Sequence, residues 1–141
     1  MAYKTKYIVI NNMKYIGNDK ELTCRSLWER RFCKYLDTNT RVIKWGFECL
    51  RIPYTSPVDR KTHHYIPDFI VEAVDNNNKK SITMIEIKPQ KQTKDPNFRK
   101  RIKLEEAITY SINEAKWNSA KDFCKNNGWS FKILTEKELF S

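Results

Sequence analysis

His63-His-Tyr-Ile-Pro-Asp68-Phe-Ile-Val-Glu-Ala-Val74 and Ser81-Ile-Thr-Met-Ile-Glu86-Ile-Lys88, joined through Asp75-Asn-Asn-Asn78, decide how this chain folds. Both runs are rich in β-branched and aromatic residues, and the cluster between them is turn-forming, so the stretch predicts an antiparallel hairpin. Its register follows from the midpoint. Asn77 lies halfway between positions 68 and 86, in the middle of the turn, which puts Asp68 opposite Glu86 with Cβ atoms about 5 Å apart. Side chains repeat every second residue along a strand, so Lys88 projects from the same face as Glu86.

Upstream, Ser26-Leu-Trp-Glu29 has the form of a capping box, and Trp28, Phe32, Tyr35 and Leu36 then fall on one helical face, predicting a helix that ends by Asp37 to Asn39. Val42 to Phe47 and Cys49 to Tyr54 read as short strands separated by a bend at Gly46 to Glu48. Residues 1–25 carry a single apolar run, Tyr7 to Ile10, and are expected as an extended N-terminal arm or edge strand. Downstream, a long helix is predicted from Asn97 to about Asn126, with a break near Ser111 to Asn113 and a stop at Asn127-Gly128. Trp129 to Leu134 reads as a further strand, and Thr135-Glu-Lys-Glu138 opens a last helical turn. The order is helix, three or four strands, helix, strand, short helix. It is an α/β pattern, and without repeats or linkers it is expected to make a single domain over 1–141.

At 141 residues the chain is long enough to bury a core without disulfides. Its 27 Lys and Arg against 17 Asp and Glu give a formal +10, which favours a polyanionic partner, nucleic acid first. The charge is concentrated: residues 88–103 hold seven basic side chains against Asp95 alone, the expected phosphate footprint. Within it Gln90, Lys91, Lys94, Arg99 and Arg101 are candidate substrate-binding residues. Cys24, Cys33, Cys49 and Cys124 lack CxxC spacing and are read as reduced, buried thiols, and no His or Cys cluster suits zinc. No stretch approaches membrane-spanning length, so a cytosolic protein is expected. Trp28, Trp45, Trp117 and Trp129 sit among apolar neighbours and are expected in the core.

Two carboxylates facing each other repel, and such a pair is tolerated at neutral pH by sharing a proton or binding a divalent cation. In a basic, phosphate-attracting chain the cation is favoured, and Mg²⁺, or Mn²⁺ in its place, is the expected cofactor. Phosphodiester hydrolysis needs hydroxide near neutral pH and relief of charge on the phosphate oxygens, both of which such a cation supplies. Lys88 would orient the attacking water or neutralise the transition state. The competing reading is a cross-strand charge pair with Lys88 as salt-bridge partner; against it, Ile66-Pro-Asp-Phe69 and Met84-Ile-Glu-Ile-Lys88 embed the acids in apolar strands, where unpaired charge is costly. Unbroken alternation would also put His64, Ile66 and Asp68 on one face, making His64 a candidate contact to substrate phosphate, or else a histidine that merely packs at a strand start.

Pro67-Asp68 followed by Glu86-Ile87-Lys88 resembles the PD-(D/E)xK nuclease superfamily. That resemblance implies a restriction-endonuclease-like α-β-β-β-α-β core with a mixed central sheet flanked by helices. It also implies that an acid on the leading helix reaches the metal site. Glu29 holds the matching position, and it reads equally well as a plain capping-box glutamate. More narrowly, Arg25-Ser-Leu-Trp-Glu29, Ile52-Pro-Tyr54, Tyr65-Ile-Pro-Asp-Phe69, Glu86-Ile-Lys-Pro89 and Ala115-Lys-Trp117 resemble the head-completion nucleases of T-even-type phages, with TnsA-type transposon endonucleases as a more distant likeness. This implies Glu29, Asp68, Glu86 and Lys88 as the catalytic set, with the three acids as metal ligands. It implies DNA as substrate, portal or neck proteins as partners, and action in the host cytoplasm or on the virion. The alternative is a DNA-end plug at the portal that keeps the fold without turnover.

Overall fold

The computed structural model describes residues 4–96 and 103–139. Four strands form the central sheet: β3 (Val42–Phe47), β6 (Phe69–Val74), β7 (Lys80–Ile87) and β8 (Ser130–Leu134), in that order. The first three are antiparallel neighbours and β8 runs parallel to β7, so the sheet is mixed. With α1 (Leu27–Thr38) ahead of it and α2 (Leu104–Asn127) between β7 and β8, the α-β-β-β-α-β order of a restriction-endonuclease-like core is present. A last short helix, α3, covers Glu136–Leu139.

The β6–β7 hairpin has the expected register. Phe69 pairs with Ile85 and Val74 with Lys80, which centres the turn on Asn77. Asp75 makes the turn: its Oδ1 accepts from Asn77 N at 2.8 Å and Lys79 N at 2.9 Å, while Asn78 takes the left-handed conformation at φ 58°. The preceding strand is shorter than expected. The 63–74 run divides into β5 (Thr62–Tyr65) and β6, because Pro67 has no N–H to give a ladder. Expected over Cys49 to Tyr54, the second strand lies instead at Ile52–Thr55 (β4), displaced by a bend in which Glu48 has φ 52°. It pairs with β5 in a separate two-stranded sheet.

Residues 1–25 are not an extended arm where they are described. β1 (Thr5–Ile8) and β2 (Glu21–Cys24) form an antiparallel hairpin that contributes Tyr7, Val9, Tyr15, Leu22 and Cys24 to the core. Too few apolar residues recur at period two for the sequence to mark it. What fixes it is tertiary: Asp37, fully buried at the end of α1, accepts from Tyr7 Oη at 2.6 Å, Ile10 N at 2.7 Å and Asn11 N at 3.1 Å. Lys14 Nζ donates to the carbonyls of Leu36 at 2.9 Å and Asn39 at 2.8 Å, supplying the cation that the last turn of α1 lacks in its own sequence. Tyr15 and Lys14 then pair with Trp45, extending the edge of the central sheet.

The sheet separates two apolar clusters. On one face α1 and the N-terminal hairpin pack on Trp45, Phe47, Phe69, Val71, Ile85 and Ile87. On the other, α2 and the β4–β5 hairpin pack on Met84 through Trp117, Ala120, Cys124, Ile52, Tyr54 and Tyr65. Trp45 and Trp117 are buried, and Trp28 and Trp129 are half-buried against these clusters, as expected of core residues. Tyr35 is not on the buried face of α1; Cys33 and Asp37 are, and Tyr35 stacks on Phe32 at the surface. Cys49 is exposed, unlike the other three thiols.

Lys103, in an extended conformation, is the N-cap of α2, which begins at Leu104; the helix start expected at Asn97 falls in 97–102, outside the described residues. The helix continues unbroken through Ser111 to Asn113, where Ser111 Oγ bonds back to the Ile108 carbonyl and spares the ladder. Gly128, at φ 73°, ends it. Among the described residues no helix is long and apolar enough to cross a membrane.

Candidate active site

The site lies where β6 begins and β7 ends. Continuing the register one step past Phe69 and Ile85 brings Asp68 across from Glu86, both on the α2 face of the sheet. Asp68 Oδ2 accepts from Ile87 N at 2.8 Å, so the strand that carries one acid orients the other. Lys88 follows on the same face, with Nζ 4.0 Å from Glu86 Oε1 and its side chain 30% exposed. Its own amide donates to Leu134 at 3.0 Å, so the parallel strand β8 fixes the end of β7.

Burial dominates the electrostatics. It raises the Asp68 carboxyl to about 8, with the charges of Glu86 and Glu29 adding to the rise and the Ile87 N–H and Lys88 opposing it. Glu86 is likewise raised by burial, against the Tyr65 hydroxyl, Lys88 and Lys116. Glu86 is buried and Asp68 half-buried, and once both have ionised the one ammonium at 4.0 Å leaves an excess of negative charge. That is a donor set suited to a hard cation such as Mg²⁺, which takes one or two carboxylates and keeps its waters.

Glu29 sits at the start of α1, where Ser26 Oγ accepts from Glu29 N at 3.1 Å and Glu29 Oε1 accepts from Arg25 N at 3.0 Å. Glu29 therefore makes the bonds of a capping-box glutamate, and it lies near enough for its charge to raise the carboxyls of Asp68 and Glu86. Burial raises its carboxyl, with the Glu48 charge adding and the Arg25 N–H and Lys88 opposing. Among the described residues, however, no group of three His, Cys, Asp or Glu side chains converges closely enough to hold a metal.

Two residues near the site were not picked out from the sequence. Glu48 is brought to Asp68 by the β3–β6 register, its N–H donating to the Asp68 carbonyl at 2.9 Å, and its Oε2 lies 2.5 Å from Arg25 Nη1. Only the pairing of two distant strands reveals this. Tyr65 Oη donates to Glu86 Oε2. Unbroken alternation put Tyr65 on the face opposite Asp68; the break at Pro67 reverses the parity and turns Tyr65 inward.

The same reversal removes His64 from the position expected of it. His64 is exposed on the outer face of β5, across from Pro53, and does not share a face with Asp68. His63 is engaged with Asp59, Nε2 to Oδ2 2.8 Å. Gln90 opens a 3-10 turn, Gln90–Gln92, after Lys88, and its amide donates to Glu136 Oε1 at 2.7 Å. Lys91 and Lys94 are exposed and line the cleft between this turn and the start of α2. Arg99 and Arg101 lie outside the described residues.

Residues 39–136 match the family described as TnsA-like endonuclease N terminal, a span running from the end of α1 to α3. The chain is also similar to the head completion nuclease of Enterobacteria phage T4, with 36% identity over 146 residues covering 99% of this chain and 95% of that protein.

Proposed function

This chain belongs to the TnsA-like endonuclease N-terminal family, and on that premise we propose that it hydrolyses DNA phosphodiester bonds with a divalent cation held by Asp68 and Glu86. The observation that carries the reading is the pair of facing carboxylates, Glu86 buried and Asp68 half-buried, with the Lys88 ammonium 4.0 Å from Glu86. Such a pair is costly to fold unless a cation is part of its working state. When bound, Mg²⁺ or Mn²⁺ supplies Lewis-acid stabilisation of phosphate charge and lowers the pKa of water.

The chain's own residues do the rest. Ile87 N–H and the Tyr65 hydroxyl orient the two carboxylates. Lys88 neutralises charge growing on the phosphate or holds the attacking water, its ammonium kept near the reacting atoms by the end of β7. Glu29 adds negative potential from the helix side, acting at longer range than the other two acids. Gln90, Lys91 and Lys94, with Arg99 and Arg101, track the DNA backbone. His64 has no part in this reading.

The similarity to a head completion nuclease supports a narrower role: action on the packaged DNA end during phage head completion, in the host cytoplasm, with portal or neck proteins as partners. The test is cleavage of supercoiled plasmid and of labelled single- and double-stranded DNA with Mg²⁺ or EDTA, comparing wild type with Asp68→Ala and Lys88→Ala. Metal-dependent cutting by the wild type, lost in both variants while DNA binding persists, is the expected result. Binding without cutting under any divalent metal would overturn it in favour of a DNA-end plug.

A further inference from the structure

Glu86 is one of the most enclosed carboxylates in the molecule, only 6% exposed, and its side chain spans the gap between the sheet and the β4–β5 hairpin. Its two oxygens have different neighbours. Oε1 faces Lys88, and Oε2 accepts the hydroxyl of Tyr65, which enters from the last position of β5. Tyr65 is itself held on every side: it packs with Ile52, Met84 and Trp117, and its ring faces the Lys116 ammonium of α2 at 6.0 Å. Ile52, its register partner, is buried as well. A phenol so placed has little rotamer freedom, and neither does the carboxylate that accepts from it.

We propose that Tyr65 is a positioning residue: its hydroxyl pins Glu86 Oε2, which fixes the rotamer that turns Oε1 toward Asp68, Lys88 and the cation. The inference rests on the metal-dependent reading of the site. It also gives the β4–β5 hairpin a role. That hairpin is an insertion outside the central sheet, and it is the element that brings Tyr65 to the site from a strand that never pairs with β7. Ligand-orienting partners of this kind typically change metal affinity about 10- to 100-fold when removed.

Tyr65→Phe keeps the ring and deletes the donor. Mn²⁺ binding to the free protein, followed by electron paramagnetic resonance without DNA, is expected to weaken about tenfold, with the far-ultraviolet circular dichroism unchanged. Tyr54→Phe, in the same aromatic cluster, should bind Mn²⁺ as the wild type does. Because Tyr65 acts through Glu86, Tyr65→Phe should have no further effect on Mn²⁺ affinity in a Glu86→Gln background, whereas a merely structural loss would add. Wild-type Mn²⁺ affinity in Tyr65→Phe, or an undiminished effect on top of Glu86→Gln, overturns the proposal while leaving the nuclease reading intact. A wild type that neither binds Mn²⁺ nor cuts DNA brings down both.

Discussion

Replacing Asp68 by Asn should make the protein more stable at pH 8 than the wild type, by a margin that shrinks as the pH falls. The asparagine oxygen still accepts from Ile87 N, so the strand contact survives and only the ionisable group is removed. In the wild type the carboxyl is raised from its ordinary 3.8 to about 8, by burial first and the Glu86 charge second. Stability tied to that group is complete below pH 3.8 and is lost as pH rises through about 8, where the buried carboxylate must ionise. Each unit inside that window costs the folded wild type up to about 1.4 kcal/mol. From pH 5 to pH 8 this bounds the change at roughly 4 kcal/mol, and sharing of the repulsion with Glu86 brings it to about 3 kcal/mol. For a chain of this size that is a gap of about 9 °C in Tm, opening between pH 5 and pH 8. The assay is thermal denaturation of both proteins in metal-free buffer across that range; titrations common to both cancel in the difference. Mn²⁺ at pH 8 should close the gap by stabilising the wild type alone. A difference in Tm that stays flat from pH 5 to pH 8 would refute the reasoning, because it would mean that Asp68 ionises without cost.

Lys88→Met should lower the cleavage rate on the order of 100-fold or more while leaving Mn²⁺ binding intact, since it removes the ammonium but neither carboxylate; single-turnover cleavage and paramagnetic resonance separate the two. Asp37→Ala leaves the buried Tyr7 hydroxyl and the part-buried amides of Ile10 and Asn11 without their acceptor, and urea denaturation should show a loss of about 3 kcal/mol or more. Gly128→Ala meets no atom within 4 Å of the added methyl, so its cost is the left-handed backbone alone. That is about 1 kcal/mol, or a fall of about 3 °C in Tm, and a larger fall would point to packing instead.

The central hairpin was legible because its information is local: β-branched strands, an Asp/Asn turn and a midpoint at Asn77 define a register without reference to anything else in the chain. The Ser26 cap, the Gly128 stop and the strands β3 and β8 were legible on the same terms. Where neighbouring signals competed, the reading slipped. Pro67 sits inside an apolar run that looks continuous, yet its missing N–H ends β5 and frees β6 to start a new sheet pairing, and with that one break His64 and Tyr65 exchange faces. Ser111 to Asn113 looked like a helix break because small polar residues favour non-helical backbone; there Ser111 bonds back within the helix and Asn113 is buried in its packed face.

By itself the sequence determined the α/β order, the pairing of Asp68 with Glu86, the placement of Lys88 beside Glu86 and the basic character of the chain, because each depends on period, turn chemistry or charge within a short span. Tertiary structure alone decided the rest. The N-terminal hairpin exists because Asp37 and Trp45, far along the chain, accept its amides and cover its apolar face. Glu48 reaches Asp68 through the β3–β6 register, and Tyr65 reaches Glu86 only because the β4–β5 hairpin folds down onto α2. Contacts of this kind join residues whose sequence separation carries no pattern, so burial and hydrogen-bond demand select them once the sheet has formed.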